Sequence, residues 1–385
     1  MKLECQRNLY SLDEKAIFLN GAYMSPMLKS VEQIGIENML KKRNPAKFTS
    51  EDFFGWTEKL KNQFAELINT DDLQGIVPIG SASYGLSTVA YNIPLEKGDK
   101  ICLLADQFPS NYYIWDRLSK STGASIQILA APNNEEGRGE KWNNTLLDTI
   151  DSRVKVVTMA HVHWADGTLF DLELIRNKCD EVGAYLIIDG TQSVGALPFD
   201  QNRIKADALI CAGYKWLHGP YGIGVAYYGK KFSTGIPIEE SWINRYNSHD
   251  FQNLVNYQSE YREGAQRYAV GESSNFILLP MLVRAIEQIN NWTPIKFQGY
   301  CQSLTDILSD KIMNEGYWIE NRRFRANHLF GVKIPSSLKM TRVKDSLQKE
   351  NISVSYRGDF IRVSPSVYNT VEEVQKFTNC LSKLI

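Results

Sequence analysis

Lys215 has the surroundings expected of a reactive amine. Tyr214 and Trp216 flank it, and the turn Gly219-Pro-Tyr-Gly222 follows. An apolar environment disfavours the ammonium form and so favours the neutral amine, which is the nucleophilic form. Lys215 is therefore a candidate to form an imine with an aldehyde. The alternative is a solvent-exposed lysine at the end of a strand.

A carboxylate, Asp189, ends another apolar run, and Gln192 follows it closely. Ligands of open parallel sheets bind beyond the carboxyl ends of the strands, where we expect both Asp189 and Lys215. An amine and an acid at the ends of neighbouring buried strands are what pyridoxal 5'-phosphate (PLP) needs. The amine forms the imine, and the acid keeps the pyridine nitrogen protonated. Gln192 could donate a hydrogen bond to the phenolate oxygen of the cofactor. Alternatively, Asp189 caps the next turn and Gln192 is an ordinary turn residue.

The segment 78–90 reads as a strand, then small residues, then a helix. Free N–H groups and the positive end of the dipole at a helix N-terminus attract an anion, and Ser83 adds a hydroxyl. This segment is a candidate phosphate site, although many strand-to-helix turns contain glycine and serine. Phe108 follows the apolar run Lys100–Leu104 and could stack on a flat ring, or it could be a core aromatic.

Arg362 lies in a strand-like run near the C-terminus. An arginine there could reach an interdomain cleft and bind a substrate carboxylate through two hydrogen bonds. The alternative is a surface ion pair.

The elements that must position these residues follow an α/β pattern. From about residue 75 to 228, apolar strand-like runs alternate with helix-like segments such as Leu172–Val182. Continuous apolar runs are typical of strands covered on both faces, so we expect a mostly parallel seven-stranded sheet flanked by helices. The predicted strands are 75–79, Lys100–Leu104, Ser125–Leu129, Val154–Ala160, Tyr185–Asp189, 207–211 and 222–227.

After residue 275 the pattern changes to two long helical stretches, three short strands (329–334, 352–355 and 361–363) and a final amphipathic helix. This pattern predicts a small C-terminal α+β domain. We expect a large PLP-binding domain over residues 17–285. We expect the small domain to consist of residues 286–385 together with residues 1–16.

Composition excludes several classes of protein. The formal net charge of the 385 residues is -1, with no strong basic patch, which argues against nucleic acid as a partner. No apolar run approaches the ~18 residues of a membrane helix, and the N-terminus does not resemble a secretion signal. Six scattered cysteines without CxxC spacing make a disulfide framework or a metal site unexpected. A cytoplasmic location is expected.

The ordered motifs resemble the class V aminotransferase family of fold-type I PLP enzymes, which includes cysteine desulfurases, kynureninase and isopenicillin-N-epimerase-like proteins. The resemblance runs nearly end to end. Its motifs are Leu19-Asn-Gly-Ala-Tyr-Met-Ser-Pro26, Ser81-Ala-Ser-Tyr-Gly85, Asp106-Gln-Phe-Pro-Ser-Asn111, Asp189-Gly-Thr-Gln192, Gly213-Tyr-Lys-Trp216, Arg267-Tyr-Ala-Val-Gly271, Ile361-Arg-Val-Ser364 and Tyr368-Asn-Thr370.

The resemblance implies a role for each site residue. Lys215 would form the imine, Asp189 would pair with the pyridinium, and Gln192 would face the phenolate oxygen. Arg362 would bind the substrate carboxylate, and the backbone of Ala82 with the side chain of Ser83 would hold the phosphate. The remaining cofactor residues would be Phe108, stacked on the ring, with Trp164 and Tyr214 beside it.

The resemblance also implies a homodimer with its active site at the subunit interface. A residue of the partner subunit would reach the phosphate, and Asn275 or Ser273 is the candidate. Tyr23 is a candidate for substrate binding. His161 and His163, which precede Trp164, are either polar groups of the pocket or ordinary strand histidines.

Departures from the family pattern bear on the reaction. Phe108 replaces the histidine that desulfurases place over the ring, and no cysteine occurs in the loop just before Arg362, where several desulfurases keep a sulfur-accepting cysteine. We expect an enzyme acting at the α-carbon of a small amino acid, with transamination as the reaction. The alternatives are a C–S or C–C lyase, of the cysteine or selenocysteine lyase or kynureninase type, and an epimerase. A non-catalytic binding module is disfavoured because the lysine, acid, glutamine and arginine are all retained.

Overall fold

A large mixed sheet forms the centre of the molecule in the computed structural model, which describes residues 2–132 and 136–385. The strands are β1 (Ile17–Phe18), β2 (Ile76–Ile79), β3 (Lys100–Leu104), β4 (Ser125–Leu129), β5 (Val154–Ala160), β6 (Tyr185–Asp189), β7 (Ala208–Ala212), β8 (Gly224–Tyr228), β9 (Trp318–Ile319), β10 (Phe330–Lys333), β11 (Ile352–Ser353), β12 (Ser355–Arg357) and β13 (Phe360–Val363).

Helices cover both faces of this sheet and continue into the C-terminal part. They are α1 (Lys29–Lys41), α2 (Ser50–Ile68), α3 (Ala82–Tyr91), α4 (Ser110–Thr122), α5 (Arg138–Thr149), α6 (Leu172–Val182), α7 (Gln201–Ile204), α8 (Leu278–Trp292), α9 (Pro294–Met313), α10 (Met340–Lys349) and α11 (Val371–Ser382). Within the described ranges, no helix is both long and apolar enough to cross a membrane.

The large sheet has seven strands in the order β2-β8-β7-β6-β5-β3-β4. β8 is antiparallel to both of its neighbours, and the other six strands share one direction. The expected fold, with its mostly parallel sheet, is therefore confirmed. The parallel direction brings the carboxyl ends of β2, β3, β5, β6 and β7 to one edge of the sheet, and that edge carries the site described below.

The strand limits differ from the predicted ones mainly at β8. The pattern predicts a strand from residue 222, whereas β8 begins at Gly224. Gly222 has a φ of +90°, a left-handed conformation that belongs to the turn and not to a strand. The turn that the sequence pattern places at Gly219-Pro-Tyr-Gly222 therefore also includes Ile223, and it is one residue longer than predicted.

Two hydrophobic clusters lie on the two faces of the large sheet, and a third fills the C-terminal α+β part. The third cluster contains Ile17 and Leu19 together with residues from Leu304 onward. Trp292 and Phe297 belong to a cluster of the large sheet, so the cores divide within α9. A four-stranded antiparallel sheet, in the order β12-β13-β10-β9, forms the C-terminal part with α10 and α11.

Candidate active site

A cavity of about 190 Å³ opens at the carboxyl edge of the large sheet. It lies where β2, β3, β5, β6 and β7 end, so residues that are far apart in the chain meet there. Its lining residues are Gly80, Ser81, Ala82, Ser83, Gln107, Phe108, Ser110, Ala160, Trp164, Asp189, Thr191, Gln192, Ala212, Tyr214, Lys215, Tyr221, Gly222 and Ile223. The structure thus brings together most of the residues that the sequence singled out.

Lys215 lies in this cavity and is only 7% exposed. The solvent-exposed alternative is therefore wrong. The pKa of Lys215 is lowered to about 8, mainly by burial. The charges of Arg362 and Arg357 contribute to this lowering, and the charge of Asp189 opposes it. Its Nζ lies 5.4 Å from the centre of the Phe108 ring and 5.5 Å from that of Tyr214. The amine is consequently held among aromatic rings in a form that readily loses its proton.

Asp189 is buried at the end of β6 and lines the same cavity. Its Oδ1 accepts a hydrogen bond of 3.0 Å from the backbone N–H of Thr191, so the carboxylate does cap the following turn. Burial raises the pKa of Asp189, and the contacts with Thr191 and Lys215 oppose that rise. A buried carboxylate of this kind gains most from a cationic partner such as a pyridinium N–H.

The carboxamide of Gln192 is held in one orientation by its neighbours. The indole N–H of Trp216 can only donate, and it donates to Gln192 Oε1 over 3.0 Å. Gln192 Nε2 donates one of its two hydrogens to the carbonyl oxygen of Ala22, also over 3.0 Å. The second hydrogen of Nε2 is left for a ligand, which fits the expected contact with a phenolate oxygen.

The N-terminus of α3 also lines the cavity. Ser81 precedes the helix, and its Oγ accepts a 3.1 Å hydrogen bond from the backbone N–H of Tyr84. The hydroxyls of Ser81 and Ser83 lie 2.9 Å apart. The N–H groups of Ala82 and Ser83, at the positive end of a ten-residue helix, are placed to bind a phosphate.

Phe108 and Trp164 form an aromatic wall of the cavity. Phe108 is 42% exposed, so it is not a core aromatic. Its ring meets that of Trp164 edge to face, with centres 5.5 Å apart. The indole N–H of Trp164 donates to the backbone carbonyl of Asp106, which fixes the wall to the loop that follows β3. Phe108 is the residue of this wall that would stack on a flat ring bound in the cavity.

Arg362 is buried beneath this wall and does not itself line the cavity. Its Nη1 donates to the backbone carbonyl of Trp164 over 2.9 Å, and its Nη2 donates to Ser355 Oγ over 3.1 Å. Nε has no hydrogen-bond partner, and each terminal nitrogen keeps a second hydrogen. The surface ion pair expected as an alternative is wrong, because the guanidinium is buried and bonded to uncharged groups.

Several of the predicted residues lie outside the cavity. Tyr23 is 60% exposed and lines a separate surface cavity with Tyr356. Asn275 Oδ1 accepts hydrogen bonds from the backbone N–H groups of Ile277 and Leu278, where α8 begins. The expected contact of Asn275 with the cofactor phosphate of a partner subunit stays a prediction. His161 and His163 are buried away from the lining, as strand-associated histidines would be.

Several residues of the site carry no clear signal in the sequence. Thr191 and Gln107 line the cavity, and they lie inside the motifs Asp189-Gly-Thr-Gln192 and Asp106-Gln-Phe-Pro-Ser-Asn111. Tyr221 lines the cavity mouth with its ring centre 4.7 Å from that of Tyr214. Arg357 lies 4.6 Å from the centre of the Trp164 ring. The signal for Arg357 is the hairpin sequence Arg357-Gly-Asp-Phe360, whose alternation places Arg357 on the same face as Arg362.

Comparison with known proteins agrees with this geometry. The family model "Aminotransferase class-V" matches residues 42–377. The protein belongs to the class V aminotransferase family, and the expected cofactor, PLP, is thereby confirmed. The amine of lowered pKa, the buried carboxylate, the helix N-terminus and the aromatic wall fit that cofactor.

Curated relatives include a probable cysteine desulfurase of Pyrococcus abyssi, 31% identical over 182 residues. This match covers 46% of the chain and 43% of the relative, so the similarity spans less than half of either protein.

Solved structures resemble nearly the whole chain. The apo cysteine desulfurase of Thermococcus onnurineus has a TM-score of 0.81 at 21% identity, covering 99% of this chain and 98% of its own. The cystine C–S lyase C-DES, in complex with cysteine persulfide, has a TM-score of 0.83 at 18% identity over 95% and 97% of the two chains. A variant of C-DES with glycine covalently linked to PLP has a TM-score of 0.85 at 18% identity over 98% and 99%. These likenesses support the fold.

Proposed function

We propose that this protein is a PLP-dependent lyase that cleaves the bond between Cβ and sulfur in a cysteine-like amino acid. The sequence favoured transamination, with a lyase as the alternative. Relatives named as cysteine desulfurases and a structural neighbour named as a cystine C–S lyase support that alternative. The net reaction would convert the amino acid and water into pyruvate, ammonium and a thiol.

The chain supplies the groups that this reaction needs. When bound, PLP withdraws electrons from the substrate α-carbon. Lys215 would accept the α-hydrogen as a proton, and its lowered pKa means that a large share of it is neutral near pH 8. Asp189 would keep the pyridine nitrogen of the cofactor protonated. Arg362 would orient the α-carboxylate, and the sulfur would leave as a thiolate that needs no acid from the protein.

The released sulfur would go to solution and not to a cysteine of the protein. The positions of the cysteines support this. Five of the six are buried, and Cys5 is exposed at the N-terminal segment. None of the six lines the cavity that contains Lys215. A desulfurase that stores sulfur on its own thiol needs a cysteine within reach of the substrate, and this chain holds none there.

The test is an assay of products with the PLP-loaded enzyme. Incubation with L-cysteine or L-cystine should release pyruvate and ammonium in equal amounts, together with sulfide or persulfide. Lys215→Ala should release none of these, and intact-mass measurement after turnover should show no added sulfur on the wild-type chain. Accumulation of keto acid without ammonium, with the cofactor left in its amine form, would support transamination and overturn the proposal.

We further propose that the enzyme works as a homodimer, as the family resemblance implies. The exposed rings of Tyr23 and Tyr221, both near Tyr214, are apolar surface that a second copy would cover. Two inactive variants, Lys215→Ala and Asn275→Ala, should regain activity when they are mixed and allowed to exchange subunits. Sedimentation of the wild-type protein as a monomer at assay concentration would refute the dimer.

A further inference from the structure

Two arginines share one face of the hairpin formed by β12 and β13. Ser355 pairs directly with Arg362, and Arg357 pairs with Phe360. Side chains alternate along a strand, so Arg357 and Arg362 are diagonal neighbours, with backbones about 7–8 Å apart. Their face is the one that meets the large sheet, because Ile361, on the opposite face, is buried in the C-terminal core.

Both guanidinium groups converge on Trp164, which lines the cavity. Arg357 Cζ lies 4.6 Å from the centre of the Trp164 ring, and Arg362 Cζ lies 5.9 Å from it. Both charges reach Lys215, since each of them lowers its pKa. Arg357 is half-buried, and its Nη1 donates to the carbonyl of Tyr356 over 2.6 Å. Its Nε is buried without a partner, so most of its N–H groups are left for a ligand.

Among residues 2–132 and 136–385, no carboxylate forms a hydrogen bond or ion pair with either arginine. The hydrogen bonds of both guanidinium groups go to carbonyl and hydroxyl oxygens. Burial, together with the charge of Arg357, lowers the pKa of Arg362 to about 10. Two like charges on diagonal positions repel each other, and one of them is fully buried. An anionic ligand would relieve that cost.

A single carboxylate leaves one of these charges unbalanced. Arg362, with its free Nε and second terminal hydrogens, is suited to the α-carboxylate that every amino acid carries. We propose that Arg357 binds a second anionic group, carried by the side-chain substituent of the substrate, so that the enzyme prefers dianionic amino acids of the S-substituted cysteine class. This inference rests on the proposed function and narrows it from cysteine-like amino acids in general to those with an acidic substituent on sulfur.

The test compares two ligands that differ in one charge. S-Carboxymethyl-L-cysteine carries the second acid, and S-carbamoylmethyl-L-cysteine has nearly the same shape without it. Binding to the PLP-loaded enzyme is read from the change in cofactor absorbance in a stopped-flow instrument, before turnover, and elimination is read separately as pyruvate. The variants are Arg357→Gln, Arg357→Lys and, as the matched control, Arg342→Gln on the exposed face of α10.

Wild-type enzyme and the Arg342→Gln control should bind the acid at least about tenfold more tightly than the amide, as expected of a charge-assisted hydrogen bond. Arg357→Gln should bring this ratio close to one, and Arg357→Lys should keep part of it. A wild-type ratio near one, or an unchanged ratio in Arg357→Gln, overturns the second anionic subsite. Preferential binding of the acid without any pyruvate would refute the lyase reaction while supporting the subsite.

Discussion

The lowered pKa of Lys215 makes a measurable prediction about how the apoenzyme captures PLP. At pH 7 a lysine with a pKa of about 8 is neutral in about one molecule in ten. A lysine with the ordinary pKa of 10.5 would be neutral in about one molecule in three thousand. Since the neutral amine attacks the aldehyde, the wild-type apoenzyme should capture PLP about 300-fold faster at pH 7 than an ordinary lysine in the same geometry would.

The shape of the pH profile identifies the group responsible. The capture rate should rise about tenfold per pH unit and bend to a plateau near pH 8. Arg357→Gln removes a charge that lowers the pKa, so its bend should move to higher pH. Asp189→Asn removes a charge that raises the pKa, so its bend should move to lower pH. The ionisations of free PLP are common to all variants and cancel in the comparison.

Capture can be followed by stopped-flow absorbance between about pH 6 and about pH 11 and checked by borohydride trapping with mass spectrometry of the Lys215 peptide. Arg342→Gln, exposed on α10, is the control and should keep the wild-type bend. A wild-type rate that continues to rise toward pH 10 would refute the reasoning. So would a shift in the same direction for Arg357→Gln and Asp189→Asn, because the two charges act on Lys215 with opposite sign.

Two further predictions concern the groups that support the site. Trp216→Phe removes the N–H that Gln192 Oε1 accepts, leaving a buried oxygen without a donor, and should cost about 1–3 kcal/mol in the free energy of unfolding in urea. Burial alone would raise the pKa of Asp166, but His163 and Arg138 lower it below its ordinary value of 3.8. Asp166 therefore stabilises the fold above about pH 4, and this contribution is lost as the pH falls through its folded pKa. Asp166→Asn should cost about 3–5 kcal/mol near pH 7, since Arg138 is left buried and unpaired, and the cost should shrink in acid.

The sequence predicted the sheet and its reactive edge because both depend on local patterns. Buried parallel strands are continuous apolar runs, and their carboxyl ends meet at one edge whatever the connections are. Lys215, Asp189 and Phe108 could therefore be placed together without knowing any contact. Val371 has the spacing of the apolar face of the final helix, yet it is exposed at the start of α11. A helical pattern does not show how far the neighbouring core extends.

Contacts that depend on the register between distant segments could not be predicted. The hydrogen bond that orients Gln192 comes from Trp216, in a different loop. Arg357 reaches Trp164 through the pairing of β12 with β13 and the packing of that hairpin on the large sheet. Tyr23 was expected at the substrate, but the backbone of its segment directs the ring to a neighbouring surface cavity. Each of these three contacts depends on tertiary packing between distant segments, and the spacing of residues in a single sequence does not predict such packing.

The two arginines and Lys215 act as one electrostatic unit. Before substrate binds, the charges of Arg357 and Arg362 add to burial in keeping Lys215 neutral, which suits its bond to the cofactor. An anionic substrate, bound as proposed, would neutralise those charges and remove their lowering effect on the pKa of Lys215. The pKa of the released amine would then rise, and a more basic amine is a stronger acceptor for the α-proton. Substrate anions would thus convert a good nucleophile into a better base at the stage when the base is needed.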